Sequence, residues 1–206
     1  MSTIPPAKIT TSNIDKTEKT KLKLKYSFYY RISESVQKNT IMETKDYENQ
    51  VKKIADFETI EDFWAIFQHL RKPDSCRQGI EFLLFKENIK PIWEDENNKK
   101  GGKVSILLNK GYTTIIWEEM IFALIGGVLP DKINGIVVSC KGQYNKLQIW
   151  FNIWEEKSNS DIDDMIRDLL QMPKEVTLEF KKFLNIKREN QKVLSFNYFP
   201  KTYACG

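Results

Sequence analysis

The stretch of sequence with the clearest chemical character is the acidic run that follows Trp93. The tryptophan is followed directly by three acids, Glu94, Asp95 and Glu96, within a predicted loop. A tryptophan usually hides most of its surface, and an adjoining cluster of charges works against burial. Trp93 is therefore either a buried anchor of the loop or an exposed aromatic platform for a ligand, and the residues alone leave both interpretations open.

The distribution of charge limits what kind of partner the chain can attract. Residues 1–25 carry a net charge of +4 and residues 181–206 a net charge of +5, so residues 26–180 carry −5. A protein that binds nucleic acid through bulk attraction presents a basic folded surface. Because the central segment is acidic, any recognition of RNA must depend on a local site.

The cysteine and histidine content gives no sign of a metal or a cofactor. Cys76, Cys140, Cys205 and His69 show no zinc-ligand spacing, which predicts reduced structural thiols and no metal. No apolar run approaches the roughly 20 residues that a membrane helix needs, so no membrane partner is expected. We expect a cytoplasmic location, with the nucleus as an additional one.

The length of the chain fits one folded domain with basic tails. We predict a disordered arm over residues 1–25, a folded domain over 26–181 and a basic segment over 182–206 that completes or flanks the site. Alternating apolar residues predict strands over 25–32, 51–54, 80–85, 103–108, 135–141, 146–150 and 176–180. A long loop is predicted over residues 33–46.

Three helices are predicted between these strands. The first opens at Thr59, where Asp62 supplies a weak capping-box acid, and the second covers residues 114–125. Ser160 is predicted to cap the third, and Pro173 to end it. Strands and helices in this order show no βαβ rhythm, which favours an α+β fold: an antiparallel sheet with helices on one face.

Four segments carry a resemblance to a known family. They are FETIEDFW (57–64), LFKENIKPIWEDE (84–96), NKKGGK (98–103) and GIVV (135–138). In these motifs and their order, the sequence resembles the cap-binding translation initiation factor 4E family from about residue 26 to 181. The resemblance implies a curved antiparallel sheet of about eight strands with three helices packed on its convex face.

The resemblance also implies a binding site for the 7-methylguanosine cap of mRNA. By position, Tyr47 and Trp93 would stack on the two faces of the methylated base, and Glu94 would accept hydrogen bonds from its edge. Most family members carry a tryptophan at the first stacking position, whereas a tyrosine there is similar to the 4E-homologous protein subgroup. The implied phosphate contacts are Lys103, Lys141 and Lys146.

A second implied surface binds protein partners. Trp64 matches an exposed family tryptophan that receives a YxxxxLΦ helix from a factor 4G-like scaffold or a 4E-binding protein. Four further residues match the same surface: Ile60, Glu119, Phe122 and Gly126. The apolar arc of this helix is wider than one core contact requires, with Trp64 at its edge, although a core position for Trp64 remains open.

Three functions are compatible with these features. The leading one is a monomeric cap-binding protein that either recruits ribosomes through a scaffold or represses translation. The second is a module of the same family that has weak or no cap affinity and works through its partner surface. The third, an enzyme acting on capped RNA, lacks a nucleophile–base set, a metal cluster and a glycine-rich motif, so we predict that the chain is not an enzyme.

Overall fold

The computed structural model describes residues 18–33 and 44–183 of the 206-residue chain. Its strands are β1 (Lys21–Ile32), β2 (Val51–Thr59), β3 (Ile80–Lys86), β4 (Gly102–Asn109), β5 (Ile133–Cys140), β6 (Tyr144–Phe151) and β7 (Glu179–Lys182). Its α-helices are α1 (Thr44–Gln50), α2 (Ile60–Phe67), α3 (Thr113–Ile125) and α4 (Glu156–Leu169), and a 3-10 turn covers Pro73–Ser75. No helix in the described parts of the chain is long and apolar enough to cross a membrane.

The strands form one antiparallel sheet with two different faces. Their order is β2-β1-β3-β5-β6-β4-β7. Because successive side chains of a strand point to opposite faces, β1 places Phe28 in the main core and its neighbours Tyr29 and Arg31 on the other side. We call the face that packs against α2, α3 and α4 the helical face, and the opposite one the open face.

The main core fills the space between the helical face and the helices. Trp117, Met120 and Ile121 of α3 are at most 3% exposed, and Ile162 and Ile166 of α4 are fully buried. Burial of each such side chain contributes about 1.5–3 kcal/mol. Because this core packs the helices against one face of the sheet, it fixes the strands from which the side chains of the open face project.

The predicted α+β fold class is confirmed, and so is the start of the first predicted helix. Thr59 caps α2: its hydroxyl oxygen accepts a hydrogen bond from the Asp62 amide at 3.1 Å and donates one to the Asp62 carboxylate at 2.7 Å. The described residues contain seven strands rather than eight. The strand β1 begins at Lys21, ahead of the predicted domain start at residue 26, and residues 1–17, 34–43 and 184–206 lie outside the described part.

Three local predictions are wrong. Residues 44–46, the end of the predicted loop, and residues 47–50, which were assigned to no element, form α1. The last helix begins at Glu156 with Glu155 as its cap, so Ser160 lies inside it, because capping preference is too weak a signal to fix a boundary by itself. The last strand begins at Glu179 rather than at Val176, since the Val176 amide is already bonded to the Pro173 carbonyl in a turn.

Candidate functional site

The loop that carries Trp93 is held in one conformation by buried polar groups. Asn98 is fully buried, and its side-chain amide donates to the Lys90 and Ile92 carbonyls at 2.9 and 2.8 Å. Asn134 of β5 in turn donates to the Asn98 side-chain oxygen at 2.8 Å. Because these bonds are internal and satisfied, the loop is fastened to the sheet, and the residues between Ile92 and Asn98 have a defined place on the open face.

Trp93 rests on a small apolar cluster of the open face. The buried members of this cluster are Leu83, Phe85, Val137, Trp150 and Phe183. Trp93 is partly buried and packs against it, together with Tyr29 and Ile89. The sequence left open whether Trp93 is a buried anchor of the loop or an exposed platform for a ligand. In the structure, part of the indole is anchored in the cluster and the rest of its surface is accessible.

The three acids after Trp93 have different roles. Asp95 is structural: its carboxylate accepts hydrogen bonds from the Lys90 and Asn97 amides at 3.1 and 2.9 Å. The exposed Glu96 forms an ion pair with Lys99. Glu94 differs from both, since its Oε2 atom is buried and has no hydrogen-bond partner among the described residues. A buried carboxylate oxygen without a donor costs about 1–3 kcal/mol or more, so a bound group that donated a hydrogen bond to Glu94 would recover that free energy.

Tyr47, the other predicted stacking residue, lies on α1 beside the open face. Its ring covers the guanidinium of Arg31, with 4.6 Å between the Arg31 Cζ atom and the ring centroid. Burial raises the pKa of its phenol, so the hydroxyl stays protonated at neutral pH. The neighbouring Glu48 pairs with Lys90 at 2.8 Å, which ties α1 to the loop that carries Trp93.

Two of the three predicted phosphate contacts lie on the open face. Lys103 and Lys146 point there from β4 and β6, because both alternate with core residues. The Lys103 ammonium lies 5.9 Å from the Trp150 ring centroid and donates to the Gln148 side-chain oxygen at 3.4 Å. Burial and then the charge of Lys146 lower the pKa of Lys103 to about 8. No described carboxylate forms an ion pair with it, so this cation is poorly compensated.

Lys146 and Lys141 extend this positive region. Burial lowers the pKa of Lys146, even though Glu179 lies 3.6 Å away. Lys141 follows the last residue of β5, and its backbone amide donates to the Asn145 side chain at 3.0 Å. Its charge contributes to the lowered pKa of Lys146, so the three lysines form one region. The open face thus joins an aromatic cluster, a carboxylate oxygen with no described hydrogen-bond partner and three neighbouring lysines, of which Lys146 pairs with Glu179.

Comparison with known proteins identifies the family. The sequence matches the family described as Eukaryotic initiation factor 4E over residues 21–196, which is most of the chain. The chain belongs to this family.

Similar proteins agree with this membership. The chain is 35% identical to the Eukaryotic translation initiation factor NCBP of Triticum aestivum, over 67% of this chain and 61% of that protein. It covers less than two thirds of the length of this relative and of two others like it.

Two solved structures share the fold. A complex of C. elegans eIF4E-3 with the 4E-binding protein Mextli and cap analog matches with a TM-score of 0.73 at 23% identity, covering 84% of this chain and 97% of that one. A complex of Ascaris suum eIF4E-3 with m2,2,7G cap matches with a TM-score of 0.71 at 25% identity, covering 86% and 96%.

The face opposite the candidate site of this factor 4E family member carries an exposed aromatic cluster. Trp64 is 48% exposed, and Ile60 and Phe122 are each 40% exposed. The rings of Trp64 and Phe122 lie 5.8 Å apart, so α2 and α3 together present one apolar surface. A core position for Trp64 is thereby excluded.

The remaining predicted partner residues lie on α3 or at its end. Glu119 is half-buried, and desolvation raises its pKa. Gly126 ends α3, where its amide donates to the Phe122 carbonyl. A Cβ atom at Gly126 would approach that carbonyl to 2.8 Å, which favours glycine at this end of the surface.

Several residues of the open face were not assigned by sequence reasoning. Trp150 is 5% exposed and forms the floor between Phe85 and Lys103; the alternation of β6 placed it on this face but gave it no role. Lys181 pairs in register with Lys103 on the adjacent strand; it lies one residue beyond the last predicted strand, which was predicted to end at residue 180. The buried Ser105 hydroxyl also has no hydrogen-bond partner among the described residues.

Proposed function

We propose that this protein binds the 7-methylguanosine cap of mRNA on its open face and acts in translation initiation or its regulation. The observation that carries the proposal is the Oε2 atom of Glu94, which is buried with no hydrogen-bond partner in the described part of the chain and belongs to the residue after the partly buried Trp93. A guanine edge supplies the donors that Glu94 lacks, and its ring supplies a stacking partner for Trp93. A methylated, cationic guanine fits such a carboxylate better than a neutral one.

The base would be held by stacking and charge together. Methylation at N7 gives the purine a delocalised positive charge, which is attracted to an aromatic face by about 2 kcal/mol when desolvated. Trp93 and Tyr47 would supply the two faces, while Glu94 accepts from the guanine N1 and N2 groups. Charge-assisted hydrogen bonds of this kind contribute about 1.5–3 kcal/mol each.

The triphosphate would lie along the lysine region, where Lys103, Lys141 and Lys146 supply cations. The ammonium of Lys103 supports this most strongly, because it is partly buried and forms no ion pair with a described carboxylate, so it would gain much from a phosphate. Lysine lacks the bidentate fork of arginine, and tyrosine offers a weaker π surface than tryptophan. We therefore propose a moderate cap affinity.

Replacing Lys103 by arginine should flatten the pH dependence of binding. With a pKa of about 8 in the free protein, Lys103 is charged below that pH and loses its charge as the pH rises through it, whereas arginine stays charged. The affinity of Lys103→Arg for 7-methyl-GTP relative to that of the unmodified protein should therefore rise about tenfold between pH 7 and pH 9. Isothermal titration calorimetry measures the affinity of both proteins at each pH.

The affinity of Lys103→Arg is divided by that of the unmodified protein at each pH, because the N1 group of 7-methylguanine also loses a proton between pH 7 and pH 9. That loss weakens binding to both proteins equally, so it cancels in the ratio. Parallel pH profiles would contradict a role for the Lys103 charge.

The helical side of the molecule would bind a protein partner. Trp64, Ile60 and Phe122 form an apolar surface of the kind that receives an amphipathic helix. We propose that a factor 4G-like scaffold or a 4E-binding protein docks a YxxxxLΦ helix there, with Glu119 and Gly126 at its border. The matched C. elegans protein was solved with the 4E-binding protein Mextli.

Replacing Trp64 by alanine should weaken binding of a YxxxxLΦ peptide by at least about 30-fold, as for a central aromatic anchor, and leave 7-methyl-GTP affinity unchanged. Fluorescence anisotropy of a labelled peptide measures the first effect. Ile153→Ala, which removes a side chain of similar exposure outside this surface, is the matched control. Equal weakening by both variants would show that the surface is misassigned.

The competing function is a module of the same family with little cap affinity, and the same exposed surface favours it. Retention on immobilised 7-methyl-GTP separates the two: we expect retention, with release by free 7-methyl-GTP but not by GTP. Absence of retention in a protein that still binds the peptide would establish the competing function. In either case we propose a monomeric, non-enzymatic protein of the cytoplasm.

A further inference from the structure

Arg31 lies beneath the aromatic ring that the proposed function places against the base. Its side chain enters the open face from β1 and is only 10% exposed. The Cζ atom lies 4.6 Å from the centroid of the Tyr47 ring, and the Nη1 atom donates to the side-chain oxygen of Gln50 at 3.2 Å. One guanidinium thus contacts two residues of α1, three positions apart and therefore on the same side of the helix.

The guanidinium is itself fixed by a buried counter-ion. Its Nε atom donates to Glu81 of β3 at 2.8 Å, and the other Glu81 oxygen accepts from the Ser139 hydroxyl of β5 at 2.8 Å. Burial alone would raise the pKa of Glu81, but the hydrogen bond and the charge of Arg31 hold this pKa below its ordinary value. Both groups are therefore charged at neutral pH, and three adjacent strands hold Arg31 in place.

The helix α1 needs such support because it is short. A helix of seven residues is well below the roughly 12–15 residues at which an isolated helix becomes even marginally stable in water. Its other described side-chain contact with the site is the exposed Glu48–Lys90 ion pair, which joins it to the loop that carries Trp93. Exposed pairs contribute at most about 1 kcal/mol. The buried Arg31 is the stronger support.

We propose that Arg31 is a positioning residue that presents Tyr47 to the base, an inference that depends on the proposed cap-binding function. The guanidinium lies over one face of the phenol ring, and the ligand would stack on the opposite face. Glu81 and Ser139 set the orientation of the guanidinium, so the first stacking position is supported from the sheet. Arg31 would affect ligand binding by holding Tyr47 in place, and it would not contact the ligand itself.

A double-mutant cycle tests this role. Because Arg31→Met alone would leave Glu81 buried without a counter-ion, it is combined with Glu81→Gln, which keeps an oxygen for Ser139. We expect this pair of substitutions to weaken 7-methyl-GTP binding about fivefold, and Tyr47→Ala about tenfold. The triple variant should bind no more than about twofold more weakly than Tyr47→Ala alone, since Arg31 has nothing left to position. Thermal unfolding establishes that each variant is folded.

A matched control comes from a second ion pair of the same protein. Arg167→Met with Asp163→Asn removes the 2.6 Å pair on α4, and cap affinity should not change. Losses that multiply in the triple variant, or an unchanged affinity without Arg31, would overturn the role of Arg31 while wild-type binding of 7-methyl-GTP stands. A wild-type protein that shows no preference for 7-methyl-GTP over GTP would remove the proposed function and, with it, this role.

Discussion

Replacing Glu94 by glutamine is expected to weaken binding of 7-methyl-GTP by about 100-fold or more. The carboxylate would accept two hydrogen bonds from the guanine edge, each contributing about 1.5–3 kcal/mol because the acceptor is charged. Glutamine can accept at one atom only, and its amide hydrogens would face the donors of the base. Since a negative charge next to the cationic base is also lost, the preference for 7-methyl-GTP over GTP should shrink. Calorimetric titration with both nucleotides measures affinity and preference.

The neighbouring Glu96 offers a control with the same change of charge in the same loop. Its side chain is 80% exposed and pairs with Lys99, so Glu96→Gln should keep nearly full affinity. Asp95 is unsuitable as a control, because its carboxylate holds the loop itself. A Glu94→Gln protein that kept its preference for the methylated base would contradict the proposed recognition even if binding persisted.

Replacing Trp93 by leucine should weaken 7-methyl-GTP binding by at least about 30-fold. Stacking of a base on an aromatic ring is worth about 1–3 kcal/mol, and the cation adds to it. Leucine is preferred to alanine because it preserves apolar contact with the cluster around Trp150 and so limits damage to folding. Trp93→Phe, which restores a smaller aromatic face, should recover part of the loss. Fluorescence competition with a labelled cap analogue measures the affinity of the unmodified protein and of both variants.

The partner surface supplies the control for this prediction. Trp64→Ala removes a second tryptophan, on the other side of the molecule, and should leave cap binding intact while weakening peptide binding by at least about 30-fold. Trp93→Leu should do the opposite. If both variants lost both activities, the effects would come from loss of folding, and the assignment of two independent surfaces would be refuted.

Most of the strands could be predicted because they have one face in the main core; β7, at the edge of the sheet, is the exception. In β6, Leu147 and Ile149 point into that core, so the two-residue period necessarily places Lys146 and Gln148 together on the opposite side. The same argument places Lys103 on the open face. Side-chain direction within a strand is a local property, and the sequence contains it.

The features that long-range register creates could not be predicted. Arg31 and Glu81 are 50 positions apart and meet because β1 pairs with β3 with these two residues directly opposite each other. Arg31 of that pair contacts Tyr47 and Gln50 of α1, and this long-range contact is not visible in the residues of α1 themselves. Likewise, the three acids after Trp93 are equivalent in sequence, and only the folded loop shows that Asp95 is satisfied internally while one oxygen of Glu94 is not.

The measurement that tests the central claim most directly is a side-by-side titration of the unmodified protein with 7-methyl-GTP and GTP, followed by quenching of tryptophan fluorescence. Stacking on Trp93 should quench the emission, and the cationic base should bind at least about 30-fold more tightly than GTP, which corresponds to about 2 kcal/mol. Equal affinities, or no quenching by either nucleotide, would contradict cap recognition by Trp93 and Glu94.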